Sequence, residues 1–263
     1  MTASQESPPR IVVALDHGLS NGVIDGFENP RRILESVIEA EPDGILCGLP
    51  YIRQFHQFFH GTNIHVIATL DQIQTSTVPG QNGRDEIHHQ VFSVTEAARL
   101  GADSVKTALV FGRDDHRVQQ QNLHFVADVC ETARQYGLPS VVETTLWGSR
   151  IEDDLDPDLL THANRLGFEL GADVLKTFYP GSKSAFEPIA EPLPLPVHIA
   201  GGPALDDDTE VLRMVEGAVD GGAYGVMFGR NIWQHENPSG MVAAINSVVR
   251  NGLSAEEAAR TNL

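Results

Sequence analysis

Lys176 lies in the run Val174-Leu175-Lys176-Thr177-Phe178, where an apolar strand would carry another valine. Burial disfavours the charged form of an amine and a neighbouring cation disfavours it further. A lysine in such a run can therefore supply the neutral nucleophile that attacks a carbonyl and forms a Schiff base. The alternative is a buried ion pair with Asp16 or Glu143. Asp16 directly follows Val12-Val13-Ala14-Leu15; from there a carboxylate can exchange a proton with a carbinolamine or substrate hydroxyl, or merely cap the next loop. Ala200-Gly201-Gly202 and Gly229-Arg230-Asn231 also follow apolar runs. In them Gly201, Gly202 and Gly229 expose backbone N–H groups and Arg230 adds a permanent cation, a combination that favours a phosphorylated substrate. His56, His60, His65, His88 and His89 invite a metal reading. His56 and His60 lie on a helix-like stretch with no carboxylate at ligand spacing, so neither a metal nor a cofactor is expected. Tyr51, Phe55, Phe58 and Phe59 read as helix packing or an oligomer contact.

These residues need a frame that brings them together. Runs rich in Val, Ile and Leu occupy residues 11–15, 44–47, 65–70, 104–111, 140–145, 174–178, 197–200 and 225–228. They are nearly continuous in apolar content, as parallel strands covered on both faces require. Helical stripes lie between them: Ile33, Leu34, Val37 and Ile38 after Asn29-Pro30; Val118 to Ala133 before Gly137 and Pro139; Leu159 to Leu170; Val211 to Val219. Leu100-Gly101-Ala102-Asp103, Leu170-Gly171-Ala172-Asp173 and Gly221-Gly222-Ala223-Tyr224 each end a helix just before a strand, with a glycine suited to the left-handed terminating residue. Eight such units fit an α/β fold of the TIM (β/α)8 barrel type better than a doubly wound sheet. Residues 188–196 read as a short surface connection in place of a full helix. We expect one domain over residues 1–263, with residues 1–9 a short N-terminal extension. In a barrel the site lies at the C-terminal strand ends, where the fourth strand carries Lys106 and Thr107 and the fifth Glu143, Thr144 and Thr145.

Composition narrows the partners. The 263 residues include 36 acidic against 18 basic side chains, a formal charge of -18. Nucleic acid would meet like charge over most of the surface. Only Lys106, Lys176 and Lys183 are lysines. A carboxylate-dominated surface repels itself unless salt screens it, so a salt-adapted cytoplasm is expected. Cys47 and Cys130 are too few for a disulfide framework. No secretory leader and no apolar run of membrane-spanning length is read, so the expected location is cytoplasmic, with no membrane partner.

Ala14-Leu15-Asp16-His17-Gly18, Gly171-Ala172-Asp173-Val174-Leu175-Lys176-Thr177, Ile199-Ala200-Gly201-Gly202-Pro203 and Gly229-Arg230-Asn231-Ile232 stand in order along the chain. From about residue 10 to residue 250 the sequence resembles the archaeal-type class I fructose-bisphosphate aldolases. That superfamily also holds the 2-amino-3,7-dideoxy-D-threo-hept-6-ulosonate synthases and the autoinducer-2 phosphate thiolases. The resemblance implies a TIM barrel, a Schiff base on Lys176, proton transfer by Asp16, phosphate binding by the glycine turns with Arg230, and a homo-oligomer, often decameric. One motif departs. A Tyr-Pro-Arg-Gly signature usually follows the fifth strand, and here Thr145 stands at the catalytic tyrosine and Trp147 at the arginine. Lys106 is a second departure. Glu143, through Thr145 or a water, is then the expected replacement acid/base, with a Glu143–Lys106 ion pair as the structural alternative. The expected activity is a class I, metal-independent aldolase acting on fructose 1,6-bisphosphate or a related sugar phosphate. A transaldolase-like or thiolase-type transferase and a catalytically silent sugar-phosphate binder are the alternatives.

Overall fold

The computed structural model describes residues 7–74 and 87–263. Ten strands are present among them: β1 (Ile11–Ala14), β2 (Gly44–Gly48), β3 (His65–Thr69), β4 (Asp71–Gln74), β5 (Ile87–Gln90), β6 (Ser104–Val110), β7 (Ser140–Thr145), β8 (Val174–Thr177), β9 (Val197–Ala200) and β10 (Gly225–Phe228). Eight are parallel and close a barrel in the order β1-β2-β3-β6-β7-β8-β9-β10, with β10 pairing back to β1. These are the eight apolar runs of the sequence, and the architecture is the TIM barrel. β4 and β5 form a separate antiparallel pair that the sequence reading lacks. Residues 1–6 of the expected extension lie outside the described residues.

Helices cover the outer face where the apolar stripes require them. Asn29 accepts hydrogen bonds from the N–H groups of Arg31 and Arg32 and starts Pro30–Glu39, which buries Ile33, Leu34 and Val37. His116–Gln135, Pro157–Glu169 and Asp208–Asp220 form on the other stripes. Residues 188–196 do not replace a helix. Ser182 caps Lys183–Ala190, and the helix continues through Pro188 because Phe186, Ile189 and Ala190 are buried. So short a helix loses only one backbone bond to the proline. Among the described residues no helix is long and apolar enough to cross a membrane.

Strand alternation divides the apolar residues into two sets. Val13, Leu15, Val142 and Leu175 belong to the main core, which includes the buried faces of the helices. Val12, Ala14, Leu46, Ile67, Val141, Val174 and Met227 form a second cluster that plugs the barrel interior. The next inward positions on the same strands carry the polar groups described below.

His198, on β9, is wholly buried; its Nε2 bonds the Pro9 carbonyl at 2.8 Å while Nδ1 finds no partner among the described residues. Burial pulls this imidazole down to about 4. The unfolded chain takes up its proton near pH 6.5 and the folded chain only near 4, so stability falls as the pH drops through that window, by about 3 kcal/mol in all. His198→Gln keeps a donor for Pro9 and should flatten the urea-midpoint profile between pH 6.5 and 4. An unchanged slope would contradict the assignment.

Candidate active site

Glu143 and Lys176 are register partners across β7 and β8, and Val141 and Val174 are partners one inward layer below. Because alternate residues share a face, a glutamate and a lysine stand side by side above the apolar plug. Lys106 is the register partner of both Thr69 and Val141, which brings β6 to the same place. The side chains meet. Glu143 Oε1 lies 2.7 Å from Lys176 Nζ, and Glu143 Oε2 lies 2.6 Å from Lys106 Nζ. One carboxylate thus bridges two ammonium groups, so the ion pairs expected as alternatives for Lys176 and for Lys106 are both present at Glu143, and all three residues are buried.

Burial alone would push Glu143 up, but Lys106 and Lys176 outweigh it and hold the carboxyl at about 2. Burial would likewise lower Lys106. Glu143, Asp16 and Asp71 overcome that and leave its amine well above the ordinary lysine range. Lys106 is therefore a fixed cation.

Asp16 occupies the N-cap position of His17–Asn21 but makes no capping bond with its side chain. Its Oδ2 accepts from Thr69 Oγ1 at 2.9 Å and lies 3.6 Å from Lys106 Nζ. The carboxylate thus faces the cluster, and the loop-cap alternative fails. His17 is packed against Phe27 and Trp233, and burial lowers its imidazole below the usual range. Thr145 is also buried, and its Oγ1 has no hydrogen-bond partner among the described residues. It lies one layer above Glu143 by strand alternation. Trp147, 40% exposed, tilts against Phe178 with ring centroids 5.7 Å apart.

The glycine turns stand beside this cluster for separable reasons. A side chain on Gly201 would meet the Phe228 ring and Asn231, and one on Gly229 would collide with the His17 ring. Gly202 has a φ of 66° and open space where a Cβ would be. Asn231 stitches the turns together: its Nδ2 donates to the Gly201 and Pro203 carbonyls and its Oδ1 accepts from Leu205 N–H. Arg230 is half-buried, and its Nε has no partner among the described residues. With Ile24, Asp25, Ala204 and Gln234 it lines a cavity of about 350 Å³. A guanidinium with a free donor beside a cavity suits an anion.

The sequence reading missed Asp71. It directly follows Leu70 at the end of β3, just as Asp16 follows Leu15, and that parallel was the available signal. His88, weighed as a metal ligand, bonds Asp71 Oδ2 through Nε2 at 2.8 Å, and Arg113 donates to its Nδ1 at 3.1 Å. A guanidinium can only donate, so Nδ1 accepts and Nε2 carries the proton. Among the described residues no group of three or more His, Cys, Asp or Glu could hold a metal ion. His89 is exposed, and Cys47 and Cys130 are buried free thiols.

Known proteins carry the same frame. Residues 10–235 match the DeoC/LacD family aldolase profile. An uncharacterised aldolase of Saccharolobus solfataricus is 32% identical over 94% of this chain and 92% of its own. The 2-amino-3,7-dideoxy-D-threo-hept-6-ulosonate synthase of Halobacterium salinarum is 33% identical over 94% of this chain and 89% of its own. A solved Schiff-base-forming fructose-1,6-bisphosphate aldolase superposes with a TM-score of 0.81 at 28% identity, covering 92% of this chain and 94% of that one.

Proposed function

The chain belongs to the DeoC/LacD aldolase family, and from that premise we propose that it is a class I aldolase in which Lys176 forms an imine with a phosphorylated ketose or a related keto acid. The observation that carries this reading is the contact between Lys176 Nζ and Glu143 Oε1 at 2.7 Å, at the C-terminal strand ends of the barrel. It gives the amine a proton acceptor within hydrogen-bond reach.

The steps balance as follows. A proton passes from the Lys176 ammonium to Glu143; the amine adds to the substrate carbonyl, forming the C–N bond, and the added nitrogen passes one of its protons to the former carbonyl oxygen, which gives a neutral carbinolamine. The carbinolamine loses water, with Glu143 returning a proton to the departing oxygen, and an iminium remains. Asp16 then accepts the proton of the substrate hydroxyl, the carbon–carbon bond breaks, and its electron pair flows into the iminium as an enamine. Asp16 returns its proton to the enamine carbon, water adds to the iminium so formed, and release of the ketone leaves Lys176 as its ammonium. Lys106 stays cationic throughout and, in the resting site, holds the Glu143 carboxylate beside Lys176. Thr145 adds a hydroxyl beside the reacting centre, and Gly201, Gly202, Gly229 and Arg230 hold the phosphate. No metal is required. We take the enzyme to be a homo-oligomer working in a salt-rich cytoplasm. A transferase of the synthase type is the second reading, favoured by the 33% identity to the Halobacterium salinarum synthase; there the same enamine passes to an acceptor.

The test is reduction with borohydride in the presence of a panel of phosphorylated ketoses and keto acids, read as intact mass and peptide map. An adduct on Lys176 is expected; one on Lys106 or Lys183, or none with any carbonyl, removes the reading. For the phosphate, Arg230→Ala should raise KM for a phosphorylated substrate by roughly 10- to 100-fold, the size of one lost charge-assisted hydrogen bond. An equal loss for the unphosphorylated analogue would detach Arg230 from the phosphate.

A further inference from the structure

Asp71 stands behind Lys106, and its two oxygens are used very differently. Oδ2 accepts from His88 Nε2 at 2.8 Å, Thr107 Oγ1 at 2.9 Å and the Ala108 backbone N–H at 2.7 Å. Oδ1 is buried, has no hydrogen-bond partner among the described residues, and lies 4.0 Å from Lys106 Nζ. A buried carboxylate oxygen without a donor is costly, so its retention so close to an ammonium group calls for a use. Burial would raise the Asp71 carboxyl; Lys106, His88 and the Ala108 N–H outweigh it and hold the group below its ordinary value.

The resting arrangement poses a problem for the chemistry. When Glu143 takes the Lys176 proton it becomes neutral, and Lys106 loses the carboxylate that it bonds at 2.6 Å. Asp16 Oδ2 remains 3.6 Å from that ammonium, but it already accepts from Thr69 and is the group that must take the substrate's hydroxyl proton, so a buried ammonium deprived of its 2.6 Å partner would still oppose the transfer. Asp71 Oδ1 offers the replacement, since a displacement of Nζ by about 1 Å brings it to charge-assisted bonding distance. We propose that Asp71 is a positioning residue for the reaction: it receives the Lys106 ammonium when Glu143 is protonated, and so lets Lys176 hand its proton to Glu143 without exchange with water. His88, Thr107 and Ala108 fix Asp71 through Oδ2, which keeps Oδ1 turned toward Lys106. The charged groups around the pair are Asp16 and His17 after β1, Glu143 on β7, Lys176 on β8, His88 on β5 and Arg113 after β6.

The inference rests on the assignment of the imine to Lys176, and its test keeps the two apart. Internal transfer leaves the number of bound protons unchanged, so imine formation should be independent of pH between 7 and 9. Without Asp71 the amine must lose its proton to water, and the rate should rise about tenfold per pH unit. The experiment mixes enzyme with dihydroxyacetone phosphate, draws timed samples into excess borohydride at one fixed quench pH, and reads the adduct by mass. Asp71→Asn should form it at least tenfold more slowly at pH 7, with the new pH slope. In a Lys106→Met background, adding Asp71→Asn should change the rate by less than about twofold, because the partner is already gone. Should Asp71→Asn fail to fold, His88→Leu, which removes one support of Asp71, is expected to show a weaker slope of the same sign. A flat profile at the wild-type rate in Asp71→Asn, or in His88→Leu where only that variant folds, overturns the proposal. So does a slower rate with no new slope, which marks a structural role only. Absence of any Lys176 adduct in the wild type, with dihydroxyacetone phosphate and with every other carbonyl of the panel above, overturns the imine assignment itself.

Discussion

Lys176→Met should abolish the borohydride adduct and lower turnover by about 10⁴-fold or more, the scale on which loss of a covalent nucleophile falls. Lys106→Met should keep the adduct on Lys176 while slowing its formation. The contrast follows from the company each amine keeps. Lys106 touches three carboxylates, with Glu143 at 2.6 Å, Asp16 at 3.6 Å and Asp71 at 4.0 Å, and they hold its proton firmly. Among the described residues Lys176 has one carboxylate partner, Glu143, and that partner can accept the proton it must lose. Methionine fills nearly the same volume as lysine, and in Lys176→Met the Glu143 carboxylate keeps its bond to Lys106. The folded barrel should therefore survive, as a near-wild-type melting transition would show. Persistence of the adduct in Lys176→Met, with its peptide mapping to Lys106, would transfer the nucleophile to β6.

The sequence carried the frame because parallel barrel strands are buried on both faces. Runs such as Val12-Val13-Ala14-Leu15 and Val197-His198-Ile199-Ala200 therefore stand out from amphipathic helices such as Pro157–Glu169. Lys176 was legible for the same reason, as a charge where apolar text was due. Glu143 was legible as an ion-pair partner of either lysine, but that one carboxylate bridges both, and that Lys106 reaches Asp16, could not be read along the chain, since these depend on strand register. β4 and β5 escaped because Asp-Gln-Ile-Gln and Ile-His-His-Gln are short and polar. With them went Asp71 and the true setting of His88. Two histidines in sequence look like ligands, whereas in the fold one points at a carboxylate and the other at solvent.

Glu143→Gln should still trap the imine yet turn over roughly 100-fold more slowly, the usual size of a lost general acid/base. The amide can accept from one lysine, but its NH2 group faces the other with no lone pair to offer, and it can neither take the Lys176 proton nor return one to the carbinolamine oxygen. Thr145, one layer above, supplies a hydroxyl that does not titrate near neutral pH, so it cannot restore the step. Stability gives a second, independent reading. Lys106 and Lys176 hold the Glu143 carboxyl well below its ordinary 4.5 in the folded protein, so its ionised form favours the fold above pH 4.5. That contribution disappears as the pH falls through 4.5 toward 2. The variant should accordingly unfold at lower urea than the wild type at pH 7, and the gap between them should close across that acid window. Unchanged turnover together with the same stability loss would identify Glu143 as a strut between two lysines, and the proton would then have to leave Lys176 by way of Asp16 or water.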